Sequence, residues 1–179
     1  FRKDDKIILQ LPNIVELAIL YIAMSKLGII ISPVPVQYGK YELEKIIHDI
    51  NPKGYIGIGI FNGKNFTKDI YPAFNKDNTL LSIGAAEGFV DLSTFPTKNN
   101  DDEIDAYLKV MDYSSNDILT ICWTSGTTGT PKGVPRSHNL WGTMARAAYH
   151  LANTQKGDIL LNPFPLVNMA SIGGFLFNW

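Results

Sequence analysis

Short apolar runs alternate along the chain with amphipathic stretches, and proline, glycine or asparagine marks most of the junctions. Residues 6–11 are apolar apart from Lys6 and Gln10 and stop at Pro12, which predicts a buried strand. Asn13, with Glu16 three residues on, reads as a helix N-cap and a near capping box. Ile14, Leu17, Ala18, Tyr21, Met24 and Ser25 follow at helical spacing, and Gly28 suits the position just past the helix end. A second apolar run over 29–34 predicts another buried strand, so the strand–helix–strand order calls for a parallel pair. Leu43, Ile46, Ile47 and Ile50 then give one apolar helix face, punctuated by Asn51, Pro52 and Gly54. Residues 55–60 alternate isoleucine or tyrosine with glycine, as a strand does when something packs closely on its glycine face.

Between 61 and 116 the periodicity weakens. The pattern predicts a short helix over 67–74, a strand over 79–83 and a turn over 85–88. The acidic patch 99–103 precedes Ile104, Tyr107, Leu108 and Met111, and acidic residues favour a helix N-terminus; the spacing of a calcium loop is absent. Residues 117–123 form a further apolar strand. Later, Ser137 reads as an N-cap, with Leu140, Met144, Ala147, Ala148 and Leu151 as the packed face of a helix. His138 falls in its first turn, where seating the helix and touching a ligand are equal readings; His150 suits its C-terminus, and His48 reads as a surface residue. Residues 159–162 predict a last strand, followed by Pro163, Pro165 and Asn168.

Composition narrows the classes. The 179 residues are 45% hydrophobic and 18% charged with a formal net charge of −1, which describes a globular chain and offers no electrostatic footprint for nucleic acid. The apolar region 14–36 is interrupted by Glu16, Lys26, Gly28, Pro33 and Pro35, too often for a membrane span. No signal-peptide pattern opens the chain. The one cysteine, Cys122, sits in an apolar strand and reads as a packed, inert thiol in a reducing, cytoplasmic setting. Both ends read as cut from something longer.

The chemistry gathers after the strand 117–123, in Thr124, Ser125, Gly126, Thr127, Thr128, Gly129, Thr130, Pro131, Lys132 and Gly133. Small residues let successive backbone N–H groups point into one concavity, and the hydroxyls and ammonium add donors and positive charge, so a strand–loop–helix cradle for a polyphosphate is expected. Lys132 has the spacing of a Walker A lysine from Gly126, but Pro131 and Gly133 stand where that loop needs glycine and a metal-binding hydroxyl. The run instead resembles the phosphate-loop signature of the adenylate-forming superfamily, which includes acyl-CoA synthetases, aryl-acid ligases, luciferases and peptide-synthetase adenylation domains. Leu11, Pro12 and Asn13, the helix after them and the proline-bracketed second strand resemble the same family more diffusely.

That resemblance implies an α/β fold with mixed, largely parallel β-sheets flanked by helices, part of a large N-terminal AMP-binding domain. It implies one truncated α/β region over 1–179, with a first portion 1–116 and a phosphate-loop portion 117–179, the C-terminal catalytic domain being absent. Family members use Mg²⁺ and ATP to activate a carboxylic acid as an acyl-adenylate, releasing pyrophosphate, and many pass the acyl group to coenzyme A. The implied ATP phosphate ligands are Thr124, Ser125, Gly126, Thr127, Thr128, Gly129, Thr130, Pro131 and Lys132. Residues 163–168 resemble the family's Pro-x-x-His segment, with Asn168 in place of histidine and Gly173 beyond it as candidate substrate-pocket residues; Asn168 reads equally as a pocket amide and as a turn residue. No catalytic residue or metal ligand is expected within the chain. The expected partners are a small carboxylic acid, ATP and coenzyme A, with neither nucleic acid nor a membrane span, and with room for a homodimer. A stand-alone nucleotide- or anion-binding module and an inactive scaffold domain stay open as alternatives.

Overall fold

A computed structural model of the chain describes residues 1–68, 70–95, 101–124 and 131–178. Its centre is β1 (Lys6–Gln10), whose residues are buried from Ile7 onward. Helix α1 (Val15–Lys26) carries the chain to β2 (Ile30–Pro33), which pairs in parallel with β1. Helix α2 (Lys40–Ile50) then returns it to β3 (Gly54–Ile58) on the other side of β1. A small hairpin, β4 (Ile60–Phe61) and β5 (Lys64–Asn65), precedes β6 (Thr79–Ile83) and β7 (Val90–Asp91), which extend that flank in parallel. Helix α3 (Asp101–Val110) leads back to β8 (Ile118–Thr124) beside β2, and β9 (Lys132–Ser137) closes the sheet as its one antiparallel member. The seven-stranded order is β7-β6-β3-β1-β2-β8-β9. The expected largely parallel α/β sheet is observed, and strands from both predicted portions share it.

Both faces of the sheet are covered, as a parallel sheet requires. Ile7, Leu9, Ile31 and Ile56 pack with Leu17, Tyr21 and Met24 of α1 and with Trp141 of helix α4 (His138–Ala152). Ile8 and Tyr55 point the other way, onto Leu43, Ile46 and Ile50 of α2. Burial at about 25 cal/mol per Å² of apolar surface drives both layers together. The glycine face that the alternation predicted is filled: the Tyr55 ring lies over Gly57, and a Cβ on Gly59, just past β3, would stand 2.5 Å from the Ala85 carbonyl oxygen.

Several local expectations are corrected. Helix α1 starts at Val15 with no side-chain cap, and Asn13 is engaged elsewhere. Helix α2 ends on Asn51 in the left-handed region (φ 45°), while Gly54 already belongs to β3. Over 67–74 the described residues form only a 3₁₀ turn, Tyr71–Ala73. Helix α4 turns a different face inward: Trp141 and Ala145 are buried, whereas Leu151 is 88% exposed. The indole decides the rotation, because its N–H donates to Thr120 Oγ1 at 3.0 Å inside the core. Residues 159–162 keep strand-like alternation but have no ladder partner among the described residues, leaving Ile159 and Leu161 95% and 84% exposed. Finally, α5 (Met169–Ser171) runs into a π-helical stretch, Ile172–Leu176, packed on α4.

Candidate functional site

β1, β2, β3 and β8 all run the same way, so the loops leaving their carboxyl ends crowd one edge of the sheet. Strand order reverses around β1, since the chain goes to β2 on one side and to β3 and β6 on the other. Crevices at that kind of edge are where open α/β sheets hold ligands.

Gln10 ends β1 on this edge and is 2% exposed. Its Nε2 donates to the carbonyls of Pro35 at 2.8 Å and Tyr38 at 2.9 Å, and its Oε1 accepts the Tyr55 hydroxyl at 2.8 Å. Every polar atom of the amide is therefore used, which fixes the loop after β2. Burial pushes the Tyr55 phenol well above its ordinary range, so it stays a donor. One polar residue inside an apolar strand was the only sequence signal for this knot.

The phosphate-loop candidates straddle the described region. Thr124 ends β8 and faces Lys132, the first residue of β9, across an antiparallel pair; both are exposed. Cross-strand partners stand about 5 Å apart, so the two ends of the Ser/Thr/Gly segment meet side by side at the carboxyl edge. Among the described residues no carboxylate forms an ion pair with Lys132. Ser125, Gly126, Thr127, Thr128, Gly129 and Thr130 lie outside the described residues, and Pro131 is the half-buried residue that leads into β9. The expected strand–loop–helix is corrected to a hairpin: six residues of β9 separate the loop from α4. A helix N-terminus thus does not follow the loop directly, which removes the dipole contribution and further separates it from a Walker A loop. Gly133 has a packing reason, since the Trp123 ring crosses it (a Cβ would meet Ile121 at 2.9 Å and the indole at 3.1 Å) while Trp123 Nε1 donates to Ser32 Oγ at 2.8 Å.

His138 belongs to the opposite edge. It opens α4 after Ser137, whose hydroxyl accepts the Leu140 N–H at 3.3 Å as the expected N-cap. Along β9 that is about 20 Å from Lys132 at the usual strand rise. Its backbone N–H donates to Asp117 O, and Asp117 pairs with Lys3 at 2.8 Å, so its surroundings are structural. Burial pushes the His138 imidazole below its ordinary value against the opposing pull of Asp117. Cys122 is buried and its thiol is raised by that burial, in keeping with an inert packed group. His48 is exposed.

The 163–168 segment comes to the carboxyl edge. It closes a cavity of about 260 Å³ against residues 11–13 and 35–37. Asn168 makes a turn through its N–H to Pro165 O at 2.9 Å, and its exposed side chain caps nothing on α5. Gly173 is buried against α4, where a Cβ would stand 3.0 Å from Met144 Cε and 3.2 Å from the Trp141 ring. Neither Asn168 nor Gly173 lines that cavity.

A seven-stranded, doubly covered and largely parallel sheet, with Thr124 and Lys132 paired at its carboxyl edge, defines an open α/β fold of the kind that holds ligands at that edge. The family model for AMP-binding enzymes matches residues 1–179, and the chain belongs to that family. An uncharacterized acyl–CoA ligase of Bacillus subtilis is 31% identical over 140 residues, covering 77% of this chain and 24% of that protein. A long-chain-fatty-acid–CoA ligase of Mycobacterium tuberculosis is 24% identical over 177 residues, covering 98% of this chain and 33% of that one. The crystal structure of ATP-bound MatB from Rhodopseudomonas palustris superposes with a TM-score of 0.71 at 20% identity, over 99% of this chain and 34% of that chain, a likeness of fold. The chain thus covers 24% and 33% of the length of these two curated relatives.

Proposed function

We propose that the chain is an amino-terminal part of an AMP-forming acid–thiol ligase. Such an enzyme joins a carboxylic acid to the α-phosphorus of ATP, releases pyrophosphate, and passes the acyl group to the thiol of coenzyme A. The observation that carries this reading is the Thr124–Lys132 pairing, which closes a Ser/Thr/Gly segment at the sheet's carboxyl edge. In-line attack by a carboxylate asks little covalent chemistry of the protein; it asks for positioning and for neutralisation of the leaving pyrophosphate. Lys132 supplies the charge, and Thr124, Ser125, Thr127 and Thr128 with the backbone around Gly126 and Gly129 supply donors to the β- and γ-phosphates. Mg²⁺ in this reading arrives with the nucleotide, bound through its phosphates.

One relative is named for long-chain fatty acids, which puts fatty acids in the panel of candidate substrates. A buried, unpaired Cys122 supports a reducing, cytoplasmic setting, and no helix among the described residues is long and apolar enough to cross a membrane. The test uses the full-length polypeptide that carries this sequence, incubated with ATP and a panel of carboxylic acids and read by mass spectrometry. An acid-specific acyl-adenylate, converted to a thioester when coenzyme A is added, is the expected result. ATP binding with no adenylate from any acid would replace the ligase with a nucleotide-binding module.

A further inference from the structure

Asn13 carries the shape of a helix cap in the sequence, yet its amide is spent on backbone more than 150 positions away. Its Nδ2 donates to Phe164 O at 2.9 Å and its Oδ1 accepts the Leu166 N–H at 2.8 Å. One side-chain amide thus mimics a strand partner, bonding both polar groups that the segment turns toward it. Tyr21, 1% exposed on α1, adds its hydroxyl to Leu166 O at 3.2 Å. Burial raises the Tyr21 phenol, which keeps it a donor.

We propose that Asn13, assisted by Tyr21, is a positioning residue that latches residues 164–166 to the sheet edge and so sets the affinity for the acid substrate. This rests on the ligase reading above. Pro163 and Pro165 have no N–H, so the segment cannot join a ladder and depends on side chains for its place. Phe164 N–H goes to Asn162 within the segment itself, and Asn168 N–H returns to Pro165 O. The bonds to Asn13 and Tyr21 are what tie it to β1 and α1. Between the latched segment and the sheet lies the 260 Å³ cavity, whose apolar walls include Leu11, Pro12, Val36, Phe164 and Val167 and whose polar lining is Asn13 and Gln37. Those walls suit an uncharged, mainly apolar acyl group with room for one polar function beside Gln37. The cavity shares the carboxyl edge with Thr124 and Lys132 but not their strand pair, so loosening the latch alters the acid's wall and leaves the phosphate ends in place.

The experiment compares Asn13→Ala, Asn13→Asp and Tyr21→Phe with wild type in the full-length polypeptide, measuring KM for acid and for ATP separately and amide exchange at Leu166. Asn13→Ala should raise the acid KM about ten-fold or more, as loss of two net hydrogen bonds implies. KM for ATP should stay within about two-fold while exchange at Leu166 accelerates. Asn13→Asp keeps the acceptor for the Leu166 N–H but turns a carboxylate oxygen toward Phe164 O, so its acid KM should rise at least as far as that of Asn13→Ala, and Tyr21→Phe supplies a milder variant if Asn13→Ala does not fold. An acid KM unchanged while Leu166 exchanges faster overturns the latch's role, as does a parallel rise in both KM values. A wild type that forms no adenylate with any acid overturns the ligase reading and the latch with it, and is told apart because no variant is needed to see it.

Discussion

Lys132 stands exposed at the head of β9 with no ion pair among the described residues, so truncating it removes charge and little packing. Lys132→Ala should lower turnover about 100-fold, the scale of losing one donor to developing negative charge, and shift stability by less than about 0.5 kcal/mol. Steady-state kinetics with thermal melts read both. Its neighbour Gly133 behaves oppositely. Gly133→Val forces a side chain into Trp123 and Ile121, and should cost about 1–3 kcal/mol by overpacking and disturb the Trp123–Ser32 bond. Denaturant melts and indole fluorescence check it. Two adjacent residues of one motif therefore separate function from packing. Cys122 should resist thiol reagents in the native chain and react once it is unfolded.

At the level of elements, the parallel core was readable because β1 and β2 are short apolar runs and α2 carries one apolar face, while α1, apolar on every side, is marked by its bounds, Pro12 before it and Gly28 at φ 66° past its end. What escaped depended on partners distant in sequence. β9 contains Gly133 and Pro135, poor strand residues, and forms because β8 offers it a ladder and Trp123 a surface. Asn13 looks like a cap because the segment it holds lies 150 residues on. The start of α4 gives a pH prediction. Burial lowers the His138 pKa, so the unfolded chain binds the extra proton first. Stability on this account is present above the ordinary imidazole pKa of about 6.5 and is lost as pH falls from there through the lower folded value. Melting temperature should therefore drop between about pH 7 and pH 5, and His138→Asn should flatten that slope.

At the scale of the whole molecule, Leu151, Ile159 and Leu161 stand more than four-fifths exposed. In the 179-residue chain, Ile159→Lys with Leu161→Glu should raise the concentration at which light scattering shows a single species. Circular dichroism should not change, and stability should move by no more than about 0.5 kcal/mol. The central proposal is that the segment between Thr124 and Lys132 holds the departing end of ATP. Acid-dependent exchange of labelled pyrophosphate into ATP, measured in the full-length polypeptide and its Lys132→Ala variant, tests it most directly. The account predicts exchange only with a cognate acid, and a loss of about 100-fold in the folded variant. Exchange of equal rate in both proteins would contradict it.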